Sequence, residues 1–376
     1  MPDSLICAGC GLLCDDVTAD GPRLEPPCAL GAAWLTDRAG PAGDAPDATV
    51  AGVPADGETA LARAAQLLRD ARRSLVYGFA GATIEDARAA VTLADRLGAI
   101  VTTGPPARPW PGAAAFPLRG SSTATLGEIR DRSQLVIIWH EDPETTHPRL
   151  LQRLGFGEHG SPTHVDGSHT LVVVDDRDTA TRRRADHAVD WPPDRDVEAL
   201  TDLFDRFDDA RHATIVYGAA LAAVAGGQRR ELALSELVRR LSHGRHVVTL
   251  SLAGTAGIQS ADDVLAWQTG YSGTVDLGSG HPELVTVTEP LIDHERIDLA
   301  LCVEDEPRGG VPTIVLSHRA GPAETEVWIR TAPAGVAAAG TMHRLDGVPL
   351  TLSPPRGSTA PTAAAVLERL LKATDR

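Results

Sequence analysis

The chain has 376 residues and carries 51 acidic side chains against 35 lysines and arginines, a formal charge of −16 at pH 7. That balance excludes a surface built for nucleic acid or an anionic membrane, since phosphate partners require a positive field, while the length suffices for a full hydrophobic core. No stretch reaches the roughly 18 apolar residues of a spanning helix, and the opening MPDSLICAGC lacks the plan of a leader, so a cytoplasmic protein without membrane contact is expected.

Four of the five cysteines fall within the first 28 residues. Cys7, Cys10 and Cys14 form C-x2-C-x3-C, and Cys28 adds a fourth thiol across a turn-rich stretch. In a reducing compartment such a group more often binds metal than forms disulfides. Four thiolates so spaced let a short backbone wrap one iron–sulfur cubane, so a [4Fe-4S] cluster on Cys7, Cys10, Cys14 and Cys28 is expected. A four-cysteine zinc site uses the same donors, although paired knuckles present two tight C-x2-C units and one exists here. Either metal would also stabilise its module by binding. Residues 1–45 are therefore read as a small Cys-rich module, with a Gly/Pro/Ala/Asp stretch from Ala39 to Gly57 as linker.

From Glu58 onward, helical periodicity alternates with short β-rich runs: ALARAAQLLRDA then SLVYGF, IEDARAAVTLADRL then AIVTT, LGEIRDR then QLVIIW. This alternation implies a mostly parallel sheet covered by helices. LVVVD, TIVYG, HVVTLSL, DLALCV and PTIVLS are apolar throughout, the pattern of strands buried on both faces. At the end of QLVIIW, His140, Glu141, Asp142 and His147 crowd together where open α/β sheets bind ligands. Their spacing carries no metal-site signature and reads as a polar loop before a His-Pro-Arg helix start. Asp175 ends LVVVD, where an acid can accept from a ribose hydroxyl. The arginines at 182–184 read as a solvated helix end.

WPPDRD at 191–196 precedes a helix and a fresh βα series, and is taken as a domain boundary. Cys302, inside LALCV, reads as a small buried hydrophobe. The Gly/Pro-rich stretch from about Pro333 to Pro355 lacks periodicity and is expected to lie extended, in need of another surface, before a final helix from about Pro361.

ICAGCGLLCDDV with PPCALGAAW resembles the cluster region of the formylmethanofuran dehydrogenase B-subunit family, a branch of the molybdopterin oxidoreductases. LGEIRDRSQLVIIWHEDPETTHPRLLQR, LVVVDDRDTATRRRADHAV, DDVLAWQTGYSGTVDLGSGHP and GVAAAGTMHRLDGVPL resemble further stretches of that family in the same order. The resemblance implies a small Cys-rich module plus two Rossmann-like αβα domains: residues 46–194 with 296–376 as a discontinuous domain, and 195–295 inserted. It also implies that Asp175 and Arg177 face a pterin nucleotide.

Active members of the family bind tungsten or molybdenum through one cysteine and two pterin dithiolenes. That cysteine would fall in the loop TGPPARPWPG, near Ala107 and Arg108, yet no cysteine occurs between Cys28 and Cys302. A soft metal selects thiolate, and nothing in that loop supplies one. In LAGTAGIQ, Ala253 and Thr255 stand where the family carries arginine and histidine. Four prolines, Pro105, Pro106, Pro109 and Pro111, also leave that loop poor in backbone donors. The resemblance thus implies a vacant or filled pterin cavity, no tungsto- or molybdopterin, no catalytic residue, and Asp175 and Arg177 as relics.

Within the family the sequence most resembles the B-type chain of the formyltransferase/hydrolase complex of methylotrophic bacteria. The expected role is a non-redox, structural subunit among partners of A, C and D type in methanofuran- and tetrahydromethanopterin-linked one-carbon metabolism. Two other readings stay open: an active tungsten or molybdenum subunit with a non-cysteine ligand, and an electron carrier through the Cys7 to Cys28 cluster.

Overall fold

The chain is described here from a computed structural model covering residues 3–21, 23–38, 46–103, 116–157, 169–224, 226–252, 254–285, 291, 297–308, 310–319, 321, 325–355 and 357–375. It falls into two compact units: Met1–Pro109, Gly254–Arg344 and Pro349–Arg376 form one, Trp110–Ala253 with Leu345–Val348 the other.

The core of the first unit is a nine-stranded sheet. From one edge to the other it runs Glu283–Leu284, Thr274–Asp276, Ile100–Thr102, Ser74–Gly78, Leu299–Val303, Thr313–Ser317, Val327–Arg330, Ala48–Val50 and Val53–Ala55. The five strands from Ile100–Thr102 to Val327–Arg330 are parallel, with antiparallel strands at both edges. SLVYG, LALCV and TIVLS are buried at every position, as their unbroken apolar runs require. Helices Gly57–Asp70, Ile84–Leu97, Ala256–Thr269 and Ala363–Thr374 supply the covering apolar faces. Ile84–Leu97 starts at a capping box between Thr83 and Asp86 and stops at Gly98, whose φ of 61° closes the last turn without strain.

Glu304 directly follows the central Leu299–Val303 strand, with φ 51° and 5% exposure, and accepts a hydrogen bond from Thr331 Oγ1. Burial pushes its carboxyl up to about 8, against a partial offset from the Arg38 charge.

The second unit holds a five-stranded parallel sheet in the order His187–Val189, Thr170–Val174, Leu135–Trp139, His212–Tyr217 and His246–Ser251. In chain order this is 3-2-1-4-5, the doubly wound arrangement whose crevice opens beside the first strand. Trp139 and Phe204 anchor its core.

These units divide the chain differently from the expected segments. The boundary near 195 fails because WPPDRD is a crossover within one sheet: strands on both its sides pair with each other, and Trp191 packs on Trp139 with ring centroids 6.2 Å apart. The expected insert 195–295 likewise splits. Its part from Gly254 onward returns to the first unit, where Thr274–Asp276 pairs with Ile100–Thr102. Residues 1–45 are not a separate unit either; their three-stranded sheet belongs with the first.

The stretch 333–355 also differs from expectation. Gly340–His343 and Pro349–Leu352 form a hairpin, and Ala334, Met342 and Leu352 are buried with Leu13 and Ala256. The chain itself supplies the surface this segment was expected to lack. Asp346, which belongs with Leu345–Val348 to the second unit, accepts there from the Leu126 N–H at 2.7 Å, at the start of helix Leu126–Arg132.

Gly257, in the first turn of Ala256–Thr269, packs directly against backbone of the first unit. A Cβ there would run into the carbonyl oxygen of Phe79 and lie 2.8 Å from that of Ala80. Backbone cannot yield as a side chain can, so Gly257→Ala is expected to cost about 3 kcal/mol in urea unfolding, the upper end of ordinary overpacking. A loss under about 1 kcal/mol, the lower end of that range, would show that this helix start is free to shift.

Candidate functional site

Two groups of chemistry-bearing residues stand out, one in each unit. In the first unit, strand Asp3–Cys7 pairs antiparallel with Cys14–Asp20, setting Cys7 opposite Cys14, and Cys10 lies in the connecting loop. Cys28 precedes helix Ala29–Arg38 and its carbonyl accepts from the Ala32 N–H at 2.9 Å. Two glycines press this loop onto that helix. A Cβ on Gly9 would lie 2.8 Å from the Leu30 carbonyl oxygen, and one on Gly31 would lie 2.8 Å from Cys7 Sγ and 3.7 Å from Cys28 Cβ.

None of the four cysteines forms a disulfide, and Cys7 and Cys14 are buried. Burial raises the Cys10 thiol to about 12, and the charges of Cys14, Cys7 and Cys28 act on it in the same direction. Four sulfurs within electrostatic reach, poorly solvated, suit a cation-rich core that takes thiolates. The residues the sequence singled out are thus brought together.

In the second unit, the ends of Leu135–Trp139 and Thr170–Val174 meet. Asp175 is fully buried, and its Oδ1 accepts from the Arg177 N–H at 2.9 Å and Nε at 2.8 Å, its Oδ2 from Arg177 Nη2 at 2.7 Å. Arg177 Nη2 also donates to the His140 carbonyl at 2.8 Å. Although burial opposes it, these bonds and the Arg177 charge hold the Asp175 carboxyl below its ordinary range.

His140, at φ 51°, is buried with Nδ1 3.8 Å from Asp175 Oδ1. Burial outweighs the opposing charges of Asp175 and Asp176 and leaves its imidazole below the ordinary histidine range. Glu141 accepts from the Ala220 N–H at 3.0 Å and sits where a side chain on Gly218 would be. Asp142 accepts from the Thr181 N–H at 2.9 Å and from Thr145 Oγ1 at 2.7 Å, pinning the loop. Buried His147 is pushed down to about 4 and stands apart from this group.

The expected metal-ligand loop around Ala107 and Arg108, and Ala253, lie outside the described residues. Thr255 is described: it caps Ala256–Thr269 and donates to the Ala80 carbonyl at 2.7 Å.

No protein-family model matches the chain. Two curated relatives do. The B subunit of the tungsten-containing formylmethanofuran dehydrogenase 2 of Methanocaldococcus jannaschii is 26% identical over 353 residues, covering 80% of each chain. Its counterpart from Methanococcus maripaludis is 24% identical over 367 residues, covering 85% of this chain and 84% of its own. The chain is a homologue of the formylmethanofuran dehydrogenase B subunit.

Among solved structures, a chain of the formyltransferase/hydrolase complex from Methylorubrum extorquens, in complex with methylofuran, superposes with TM-score 0.66 at 22% identity. The match covers 86% of this chain and 98% of that one. Acetylene hydratase from Pelobacter acetylenicus gives TM-score 0.55 at 8% identity, covering 98% of this chain and 69% of the other. Both establish the fold, an α/β architecture of the molybdopterin oxidoreductase type. Within this B-subunit homologue, among the described residues, no helix is long and apolar enough to cross a membrane.

The sequence singled out the four thiols, Asp175 and Arg177, but not that Arg177 bonds to Asp175 or that His140 meets it. Local spacing could not reveal it, because the two residues follow adjacent parallel strands that lie far apart along the chain. The only signal was that QLVIIW and LVVVD both end on polar groups.

Proposed function

We propose that this chain is the non-redox B-type subunit of a formyltransferase/hydrolase-like complex in one-carbon metabolism, carrying a [4Fe-4S] cluster on Cys7, Cys10, Cys14 and Cys28. The observation that carries the proposal is the sequence itself. A homologue of tungsten-containing B subunits has no cysteine between Cys28 and Cys302. A dithiolene-held tungsten or molybdenum needs a soft protein ligand, so the donor set does not fit that metal.

One packing detail in the first unit supports a filled pterin region. Thr255 and Gly257 bring the start of Ala256–Thr269 directly onto the carbonyls of Phe79 and Ala80, leaving no room there for an anionic group.

The cysteine set does fit a cubane. Among the described residues no three of these thiols have sulfurs all within 4.8 Å of one another. A tetrahedral zinc with bonds of about 2.3 Å would hold them roughly 3.8 Å apart. A bound cluster would supply one-electron capacity and folding energy. The protein's own part is to hold Cys7 and Cys14 in register and buried, and to bring Cys28 to Gly31. Partners of A, C and D type are proposed from the likeness to the methylofuran-bound complex, and they would carry formyl transfer and hydrolysis.

The test is elemental analysis and size exclusion of the chain purified without oxygen, alone and co-expressed with its partner chains. About four iron per chain and no tungsten or molybdenum are expected, with migration as part of the larger assembly. Stoichiometric tungsten or molybdenum would establish instead an active subunit with a non-cysteine ligand. A monodisperse monomer that ignores its partners would overturn the structural role.

A further inference from the structure

The end of the Leu135–Trp139 strand holds a buried group that neither the cluster nor partner association uses. The His140 side chain is 2% exposed, and neither ring nitrogen has a hydrogen-bond partner. A stripped imidazole with both nitrogens idle is costly. Its backbone, at φ 51° without being glycine, adds strain of the kind that concentrates at functional sites. Both costs fall on one residue beside the crevice of a doubly wound sheet.

The neighbours indicate what would offset them. Nδ1 lies 3.8 Å from Asp175 Oδ1, too far for a hydrogen bond. It is the separation that an ion with bonds of about 2.1 Å to nitrogen and oxygen would span. The exposed Asp176 carboxylate completes the set, with one ligand atom of each residue within 4.8 Å of the others.

The surrounding charges favour a cation. Asp175, Asp176 and Glu141 face Arg177, which already neutralises part of Asp175, while Arg230 acts on His140 from farther away. We propose that His140, Asp175 and Asp176 form a binding site for a first-row divalent metal ion, whose remaining coordination positions open toward solvent beside Asp176. One imidazole and two carboxylates suit manganese or zinc and disfavour the soft ions that seek thiolate. The proposal is independent of the non-redox reading.

Manganese(II) is the probe, because the thiol group does not compete for a hard ion. The full chain, purified without oxygen with its cluster and freed of loose metal by chelator dialysis, is titrated with Mn2+ and followed by electron paramagnetic resonance. One bound ion per chain is expected, with nitrogen coupling from an imidazole. Asp176→Asn, on the surface and without a burden in the fold, should weaken binding about tenfold or more. His140→Gln should abolish the nitrogen coupling. Unsaturable binding, equal affinity in Asp176→Asn, or a bound ion without nitrogen coupling would each show an adventitious ion only, and the proposal would fall.

Discussion

Cys10→Ser is expected to strip the iron from the anaerobically purified chain and to lower its unfolding free energy by about 4 kcal/mol or more, the threshold at which a single substitution signals loss of a metal site. The loss would be large because the substitution removes one of four ligands from a site whose Cys7 and Cys14 are buried and whose Cys7 and Cys28 lie close to Gly31. Cys302→Ser is the control. Cys302 is fully buried in the central strand Leu299–Val303, and its thiol donates to the Asp305 carbonyl at 3.5 Å, a bond a hydroxyl can also make. That substitution should cost about 1–2 kcal/mol. Urea unfolding of both variants beside the wild type decides the matter, and chelation of the iron should erase the difference between wild type and Cys10→Ser. Equal losses at Cys10 and Cys302 would mean that the four thiols hold no cluster.

Glu304 gives the second large effect, and it depends on pH. Its ordinary value is 4.5 and burial raises it to about 8 in the folded chain. Below pH 4.5 both folded and unfolded chains keep the proton, and the residue costs nothing. Between 4.5 and 8 the unfolded chain releases its proton while the folded chain holds on, so stability falls as pH rises; above 8 the decline stops. At about 1.4 kcal/mol per unit of displacement, the total is on the order of 5 kcal/mol. Glu304→Gln keeps an oxygen for Thr331 and carries no titrating proton, so its advantage over the wild type should grow steadily from about pH 5 to about pH 8. Parallel stability curves across that range would show that Glu304 is ionised in the folded chain.

The sequence made the elements readable and left their pairing hidden. LVVVD, TIVYG, HVVTLS, LALCV and TIVLS announce themselves because strands buried on both faces have no polar positions to interrupt them. Cys7, Cys10, Cys14 and Cys28 were equally plain, since thiol spacing is a local property. Which strand lies beside which is not local. WPPDRD has the composition of a linker, but Trp191 and Val197 are drawn into the core of a sheet that continues past it. The hairpin 340–352 escaped notice because Gly340, Pro349 and the intervening turn dilute its alternation, leaving Met342 and Leu352 as its anchors. Asp175 was marked as a strand-end acid, yet its engagement by Arg177 depends on a turn geometry that no spacing rule encodes.

The pairing of Ser74–Gly78 with Leu299–Val303 has a consequence for how the protein is made. The centre of the nine-stranded sheet cannot close until the ribosome has added about 225 residues beyond Gly78, roughly 10 to 45 s at about 5 to 20 residues per second. Throughout that interval the backbone edge of SLVYG has no neighbour on one side, whereas the five-stranded sheet, encoded by residues 135–251, can be completed first. An unpaired apolar strand edge is a template for aggregation. Slow translation lengthens its exposure, so yield in the cell depends on elongation rate and on chaperones that reach the nascent chain early.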